Sequence, residues 1–488
     1  MKNTAFLLLI ILFLGCNQGQ KGNIETSTSQ IENVKNTPLQ LTNCFETGVL
    51  EVLLNNSAFS YVIYRGLSFG YEYEMLKMFC DDNDLELKIK ILKRSTEMID
   101  SLEMGHGHIA ASNYTVNASR LERISFSKPF FRTRQVLVQK LPDNWRKITV
   151  DNAKKQLIQD PLDLDGITVH VKRASSFEER LKNFSHENGI NINVLSAAPE
   201  QTVEDLIEKV DNGEIKYTVA DANTASFYKA AYPDLDFDTP VSMNQNIAWA
   251  INKTQPELKS KIDEWIDKNR GGLRFNMLNN RYFDLSKRGR KLIREGIAEV
   301  KEGKISPYDE LIKNEAEALN MDWLMLAALI NQESKFDPKA KSWAGAMGLT
   351  QVLPSTAKDL GVHNPDHLYL PEVSIKTGAT YLKQLIDYWQ PIVNGSTEAL
   401  NFALASYNTG KGHVMDARRL AAKYGKNENI WHDNVGPMLL KKSNPKYFND
   451  PVVKYGYCMG KEPVQYVSNI NAYYEEYKNY TTQKTSVN

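Results

Sequence analysis

The stretch from Leu326 to Ala357, "LAALINQESKFDPKAKSWAGAMGLTQVLPSTA", begins as an apolar helix and meets a single acid, Glu333, where the apolar run stops. A helix that is apolar on every side belongs in an interior, and a carboxylate is otherwise a poor choice at a buried helix end. Burial favours the neutral form of a carboxyl, so an acid placed there keeps its proton near neutrality and can deliver it to a leaving oxygen. The stretch predicts a helical core with Glu333 as its proton donor.

Outward from this point the pattern stays helical. Beyond Pro307 no strand signal appears, Pro354 and Pro371 sit where helix first turns are expected, and Gly361, Gly410 and Gly425 mark breaks. Around Glu333 four blocks follow in order: "ESKFDPKAKS" from Glu333 to Ser342, "GAMGLTQVLPSTA" from Gly345, "ASYNTGKGHV" from Ala405 and "EPVQYVSNI" from Glu462. Together they resemble the catalytic motifs of soluble lytic transglycosylase-type domains. The resemblance implies an all-α, goose-lysozyme-like catalytic domain, expected over residues 307–480, that acts on the glycan strands of peptidoglycan.

The same resemblance implies roles for particular residues. Glu333 would act first as acid and then, ionised, as base. Ser342 and Gln351 would contact the sugar near the cleaved bond, Tyr407 and Asn408 would line the cleft and hold the N-acetyl group, and Tyr466 would hydrogen-bond near Glu333. Hydrolysis by the usual routes needs a second carboxylate close by, and the blocks offer none at a comparable position: Asp337 lies in a turn and Asp359 on an ordinary helix. One acid suffices when the sugar's own 6-hydroxyl is the nucleophile, which gives a 1,6-anhydro end without metal or cofactor. The family's "GLMQ" reads "GLTQ" here, and Thr350 in place of Met is expected to alter the cleft wall without removing a proton-transfer group.

Upstream the signal changes. From Val49 to Phe283 short β-type runs, among them "VLEVLLN", "QVLVQK", "ITVHVK" and "KYTVADA", alternate with amphipathic helices such as Tyr71–Cys80 and Val203–Asn212. Such alternation implies a layered α/β module. Within it "NYTVNASRLERISFSKPFF", from Asn113 to Phe131, resembles the solute-binding protein family 3, which implies a two-lobed, periplasmic-binding-protein-like module over residues 44–285 with a second lobe near 137–241. By that resemblance Arg120 would grip a ligand carboxylate through paired N–H donors. Ser175, in the turn of "KRASSFEERL", would present free N–H groups at a helix start, and Asp221 would take an amino group. His108 stands where the family carries Asp. An amino acid or a peptidoglycan stem peptide is the expected ligand.

The ends bear on location. Lys2, an apolar run from Phe6 to Leu14 and "LFLGC" ending at Cys16 resemble a bacterial lipoprotein signal, with lipid expected on Cys16 and the apolar run too short for the roughly 20 residues that span a bilayer. Asn17 after the lipidated Cys favours the outer membrane, facing the periplasm. Residues 17–43 read as a polar tether, 286–306 as a basic linker and 481–488 as a tail. Cys44, Cys80 and Cys458 lack metal-ligand spacing, and buried thiols or one Cys44–Cys80 bridge are both open. Lys+Arg and Asp+Glu total 59 each, so no nucleic acid is announced as partner. Two other functions stay in play: a tethered binding receptor whose helical domain only grips glycan, and a lysozyme-type hydrolase.

Overall fold

The computed structural model describes residues 41–57, 59–92, 96–229, 231–283 and 304–485. The expected signal peptide with Cys16, nearly all of the tether and linker, and the last residues of the tail lie outside these. Among the described residues no helix is long and apolar enough to cross a membrane.

Two five-stranded sheets build the first module. One has the order Glu86–Leu92, Val49–Asn55, Ile109–Ala111, Ala250–Ile251, Ser125–Phe126; the other runs Asn193–Ser196, Thr168–Val171, Tyr217–Asp221, Gln135–Lys140, Leu235–Asp236. The central strands pair in parallel, Val52 against Ile109 and Val169 against Val194, while the strand that returns from the other lobe pairs antiparallel, Ala250 against Ala110. The chain leaves the first lobe through Phe131–Thr133 and comes back through Gln245–Ile247, and these two segments pair with each other, Asn246 opposite Arg132. Two crossing strands that share a ladder form a hinge of the kind around which lobes close. All three described cysteines are buried free thiols, so no Cys44–Cys80 bridge forms.

Helices follow the last strand, Ala250–Ile251, to the end of the described chain. The helix Trp323–Ser334, hereafter the acid helix, has every residue from Leu324 to Asn331 buried. Its start is fixed by Asp322, which accepts from the Leu324 N–H at 2.9 Å, and its end by two left-handed residues, Lys335 at φ 52° and Phe336 at φ 59°. It packs against the C-terminal helix Lys461–Thr485 and the helix Asp309–Ala318. Trp389, fully buried, donates from its indole to Ser406 at 2.9 Å and joins the helices Pro371–Trp389 and Ser396–Thr409.

The modules interlock. A hairpin of the first lobe, Val62–Tyr64 and Leu67–Phe69, turns through Arg65 at φ 49° and Gly66 at φ 71°, the left-handed pair that tight hairpins favour. The Gly66 carbonyl accepts from Asn331 Nδ2 at 2.9 Å and from the Tyr477 hydroxyl at 2.8 Å, and its N–H donates to the Ile305 carbonyl at 3.0 Å. A Cβ at residue 66 would stand 2.4 Å from the Phe336 ring, so only glycine fits. Beneath the hairpin Glu476 accepts hydrogen bonds from Tyr61 and Ser68.

Candidate active site and interlobe cleft

Glu333 is half-buried one residue before the acid helix ends. Burial pushes its carboxyl up to about 8, the Tyr466 hydroxyl that donates to Oε1 at 2.5 Å works against this, and the charge of Glu462 adds to the rise. At neutral pH the group therefore holds its proton. Tyr466 is itself 4% exposed and stands on the C-terminal helix, so a hydrogen bond across two packed helices fixes the acid.

The segment after the acid helix folds back as a tight loop. Gly348, at φ 75°, donates to the Ala340 carbonyl at 2.9 Å and lies so near the Leu368 carbonyl that a Cβ would be 1.8 Å away. Gln351 has φ 48°, and its amide donates to the Ala340 and Gly348 carbonyls at 3.0 and 2.9 Å. Its N–H groups thus hold the loop. Ser342 Oγ accepts from the Ala346 N–H at 3.0 Å, again within the loop. Ser334 Oγ donates to the Leu349 carbonyl at 2.7 Å and ties the loop to the acid helix.

Thr350 departs from expectation. It is fully buried and forms no part of the cleft wall: Oγ1 donates to the Ser374 carbonyl at 2.7 Å and its side chain fills the space over Gly378, where a Cβ would come within 2.3 Å of the Thr350 Cβ. A small hydroxyl residue here is matched to a glycine on the facing helix Pro371–Trp389. The Thr350 carbonyl accepts from the Tyr407 hydroxyl at 2.8 Å. Glu333 acts electrostatically on both Tyr407 and Tyr466, which brings the three side chains into one neighbourhood. Asn408 is half-buried with its amide unpartnered among the described residues.

Glu462 was not among the residues expected to matter. It lies one helical turn before Tyr466 on an exposed face, and its charge disfavours ionisation of Glu333. The i, i+4 spacing to Tyr466 is the signal in the sequence that could have found it. If Glu333 must be protonated to act, Glu462→Gln is expected to move the alkaline limb of the pH–rate profile to lower pH, by roughly half a unit for a screened like charge. Tyr466→Phe removes a donor to the carboxylate and is expected to move it the other way. Profiles of glycan cleavage between pH 5 and 9 check both, and a limb that stays put in both variants removes Glu333 as the titrating acid.

Elsewhere in the helical domain, Asp416 and Lys442 are both 0% exposed and paired at 2.7 Å. Asp416 also accepts from the Lys454 and Tyr455 N–H groups, each at 2.8 Å, and from Arg419; the Lys442 ammonium reaches His413 Nδ1 at 2.9 Å. Burial alone would raise the Asp416 carboxyl, but Lys442 and the two N–H groups hold it below the usual range. The cluster fastens the segment 450–458, whose Tyr455 ring rests on Gly412 of the "SYNTGKGHV" block.

In the first module Arg120, Asp221 and Ser175 line one cavity between the lobes. Arg120 donates to the Thr115 carbonyl at 2.8 Å and lies over the Tyr114 ring, its carbon 5.0 Å from the centroid. Asp221 is 4% exposed; Oδ2 accepts from Asn113 Nδ2 at 2.7 Å while Oδ1 has no partner among the described residues. Burial raises its carboxyl to about 7, against the pull of Asn113, Arg120 and Lys172. Ser175 caps the helix Ser176–Asn188, and its hydroxyl donates to the Lys172 carbonyl at 2.5 Å, so it shapes the turn instead of pointing freely at a ligand. Sequence reading passed over Asn113. At φ 52° it donates its N–H to buried Glu72, and its amide bridges Asp221 and Asn223, so one residue of the first lobe is hydrogen-bonded to two of the second. His108 is away from the cavity: it accepts from the Glu51 N–H and faces the Thr42 carbonyl, a buried structural bridge.

The comparisons with known proteins divide the chain in the same way. The profile of the bacterial extracellular solute-binding proteins, family 3, matches residues 50–285, and that of the transglycosylase SLT domain matches residues 310–430. The chain is thus a solute-binding module joined to a transglycosylase-type domain. It belongs to the family of membrane-bound lytic murein transglycosylase F: it is 32% identical to that protein of Desulfosudis oleivorans over 88% of this chain and 89% of the relative, and 30% identical to that of Aliivibrio fischeri over 94% and 88%. Among solved structures it resembles an ancestral arginine-binding protein bound to arginine, with 18% identity, a TM-score of 0.40 and coverage of 48% of this chain and 98% of that one.

Proposed function

We infer that the chain is a peptidoglycan lytic transglycosylase that cleaves the β-1,4 bond between N-acetylmuramic acid and N-acetylglucosamine. The observation that carries the reading is Glu333, protonated at neutrality at the end of a buried helix and held by Tyr466. In the mechanism we propose, Glu333 gives its proton to the glycosidic oxygen as the C1–O bond breaks, and the muramoyl N-acetyl carbonyl stabilises the cation at C1. The ionised Glu333 then takes the proton of the 6-hydroxyl while that oxygen bonds to C1. No water is consumed, and intramolecular attack gains from proximity. Gln351 and the Asn408 amide would orient the sugar and its N-acetyl group; Tyr407 would wall the cleft and Ser342 would keep the loop in shape. Mass spectrometry of muropeptides released from purified peptidoglycan tests this: 1,6-anhydro ends support it, and reducing ends would make the enzyme a lysozyme-type hydrolase. No release at all would favour the glycan-binding receptor.

The first module, in this proposal, binds a molecule with both a carboxylate and an amino group, an amino acid or a stem peptide, and its closure alters cleavage by the second, with a coupling of about 1–3 kcal/mol if ordinary. Cleavage rates with and without such a ligand test the coupling. Lipid on Cys16 would hold the protein at the outer membrane, facing the periplasm. Cys16→Ser is then expected to release the chain from the membrane fraction, since one or more acyl chains supply the anchorage; undiminished sedimentation with membranes in that variant sinks the assignment.

A further inference from the structure

The segment that the buried Asp416–Lys442 pair fastens carries a row of exposed side chains with no part in the proton transfer. Tyr455, Tyr457 and Met459 are 61%, 54% and 60% exposed. Apolar residues scattered singly are ordinary on a surface. These stand together on one short stretch, and its backbone is held from within along its length. Lys454 and Tyr455 give their N–H groups to Asp416, each at 2.8 Å. The buried Cys458 donates its N–H to the Lys442 carbonyl at 3.4 Å, and Gly460 lies so near the Leu439 carbonyl that a Cβ would be 1.9 Å away.

The side chains are steered as well. After the left-handed residue Gly456, at φ 65°, buried Cys458 stands between exposed Tyr457 and Met459, the alternation of an extended chain. Tyr455 meets His413 edge to face with the ring centres 6.2 Å apart, and Tyr457 meets Phe448 in the same way at 5.7 Å. A Cβ on Gly412 would come within 2.6 Å of the Tyr455 ring, so that glycine is the seat on which the ring rests. Rings held in place lose little freedom when something binds to them.

Position says what that is. Cys458 Sγ lies 3.3 Å from Thr409 Oγ1, one residue along the chain from Asn408. In the other direction the chain enters the helix Lys461–Thr485, which carries Glu462 and then Tyr466 to Glu333. The exposed row therefore runs along the edge of the acid's neighbourhood, between the "ASYNTGKGHV" and "EPVQYVSNI" blocks. A pyranose ring presents C–H groups on its faces and hydroxyls around its rim. A tyrosine offers the complement, an apolar face for the C–H groups and a hydroxyl that reaches the rim.

We propose that Tyr455 and Tyr457, with Met459 beside them, form a stacking platform that grips sugars of the glycan strand next to the cleaved bond. This rests on the reading of the chain as a peptidoglycan lytic transglycosylase and adds substrate-binding residues to it. Peptide-free glycan strands are the probe, so that stem peptides play no part. Tyr455→Ala and Tyr457→Ala are each expected to raise KM about fivefold and to leave the loss out of kcat, since a stacked ring holds bound substrate and transition state alike. Phenylalanine at either position keeps the ring face and is expected to restore KM. A second measurement leaves the platform unaltered: in Glu333→Gln, saturating strands are expected to slow the iodination of Tyr457 and the oxidation of Met459 by hydrogen peroxide several-fold, while Met243 of the first module, 88% exposed, is oxidised at the same rate as before. A KM unchanged in both alanine variants, or labelling that the strands do not slow, would overturn the platform, assign the exposed row to some other partner and leave the transglycosylase reading standing. A parent chain that neither binds nor cleaves the strands would remove that reading together with the platform.

Discussion

Glu333→Gln is expected to lower the release of anhydro-muropeptides by about 10²–10⁴-fold, the loss typical of a general acid–base group. Here a single carboxyl is proposed both to give and to take the proton, so the upper part of that range is expected. Glutamine keeps the size of the side chain, and its carbonyl oxygen can still accept from the Tyr466 hydroxyl that now bonds Glu333 Oε1. The fold and the binding of glycan should therefore be preserved, and the loss should fall on turnover rather than on affinity. Single-turnover rates and pull-down on insoluble peptidoglycan separate the two. A variant that releases anhydro products at a comparable rate would show that another group moves the proton, and Glu462, whose charge Glu333 feels, would be the first to examine.

The second large effect concerns stability. Asp416→Asn leaves the Lys442 ammonium fully buried beside a neutral partner, and breaking one side of a buried pair costs about 3–5 kcal/mol. For a domain of this size that corresponds to a fall on the order of 10 °C in the thermal transition of the helical module. Combining Asp416→Asn with Lys442→Met removes the orphaned charge and is expected to recover part of the loss, although the Lys454 and Tyr455 N–H groups keep only a weaker acceptor. Differential scanning calorimetry of the single and double variants reads this directly. A single variant that melts within a degree of the parent would mean that water reaches Lys442 and that the segment 450–458 is held by other contacts.

Local pattern carried much of this in advance. Seven consecutive buried residues, Leu324–Ile330, are legible as an apolar run, and an acid just past the end of that run is predicted to hold its proton because desolvation acts on any carboxyl placed there. Alternation of strands and helices likewise announces a layered α/β module, while its division into two lobes came from the resemblance of the Asn113–Phe131 segment. What pattern could not supply was the partner of each polar group. Ser342 and Gln351 read as sugar contacts, yet the Ser342 hydroxyl and the Gln351 amide bond the loop's own backbone, and nothing in their spacing distinguishes the two uses. Thr350 looked like a changed wall because its match to Gly378 is made across 28 residues of chain. Asn113 becomes conspicuous only when the second lobe is laid against the first.

The hairpin tip at Gly66 has a consequence for how this protein can be taken apart. Asn331 and Phe336 flank Glu333 on the acid helix and its cap, Tyr477 shares a helix with Tyr466, and all three close around that one glycine. The modules therefore share components instead of meeting at a border. A chain trimmed to begin at residue 304 would keep the acid and its tyrosine but would open an empty socket behind them, with the Glu476 carboxyl stripped of the Tyr61 and Ser68 donors. Scissors placed in the connecting segment cut the covalent link and leave the mechanical one to be replaced.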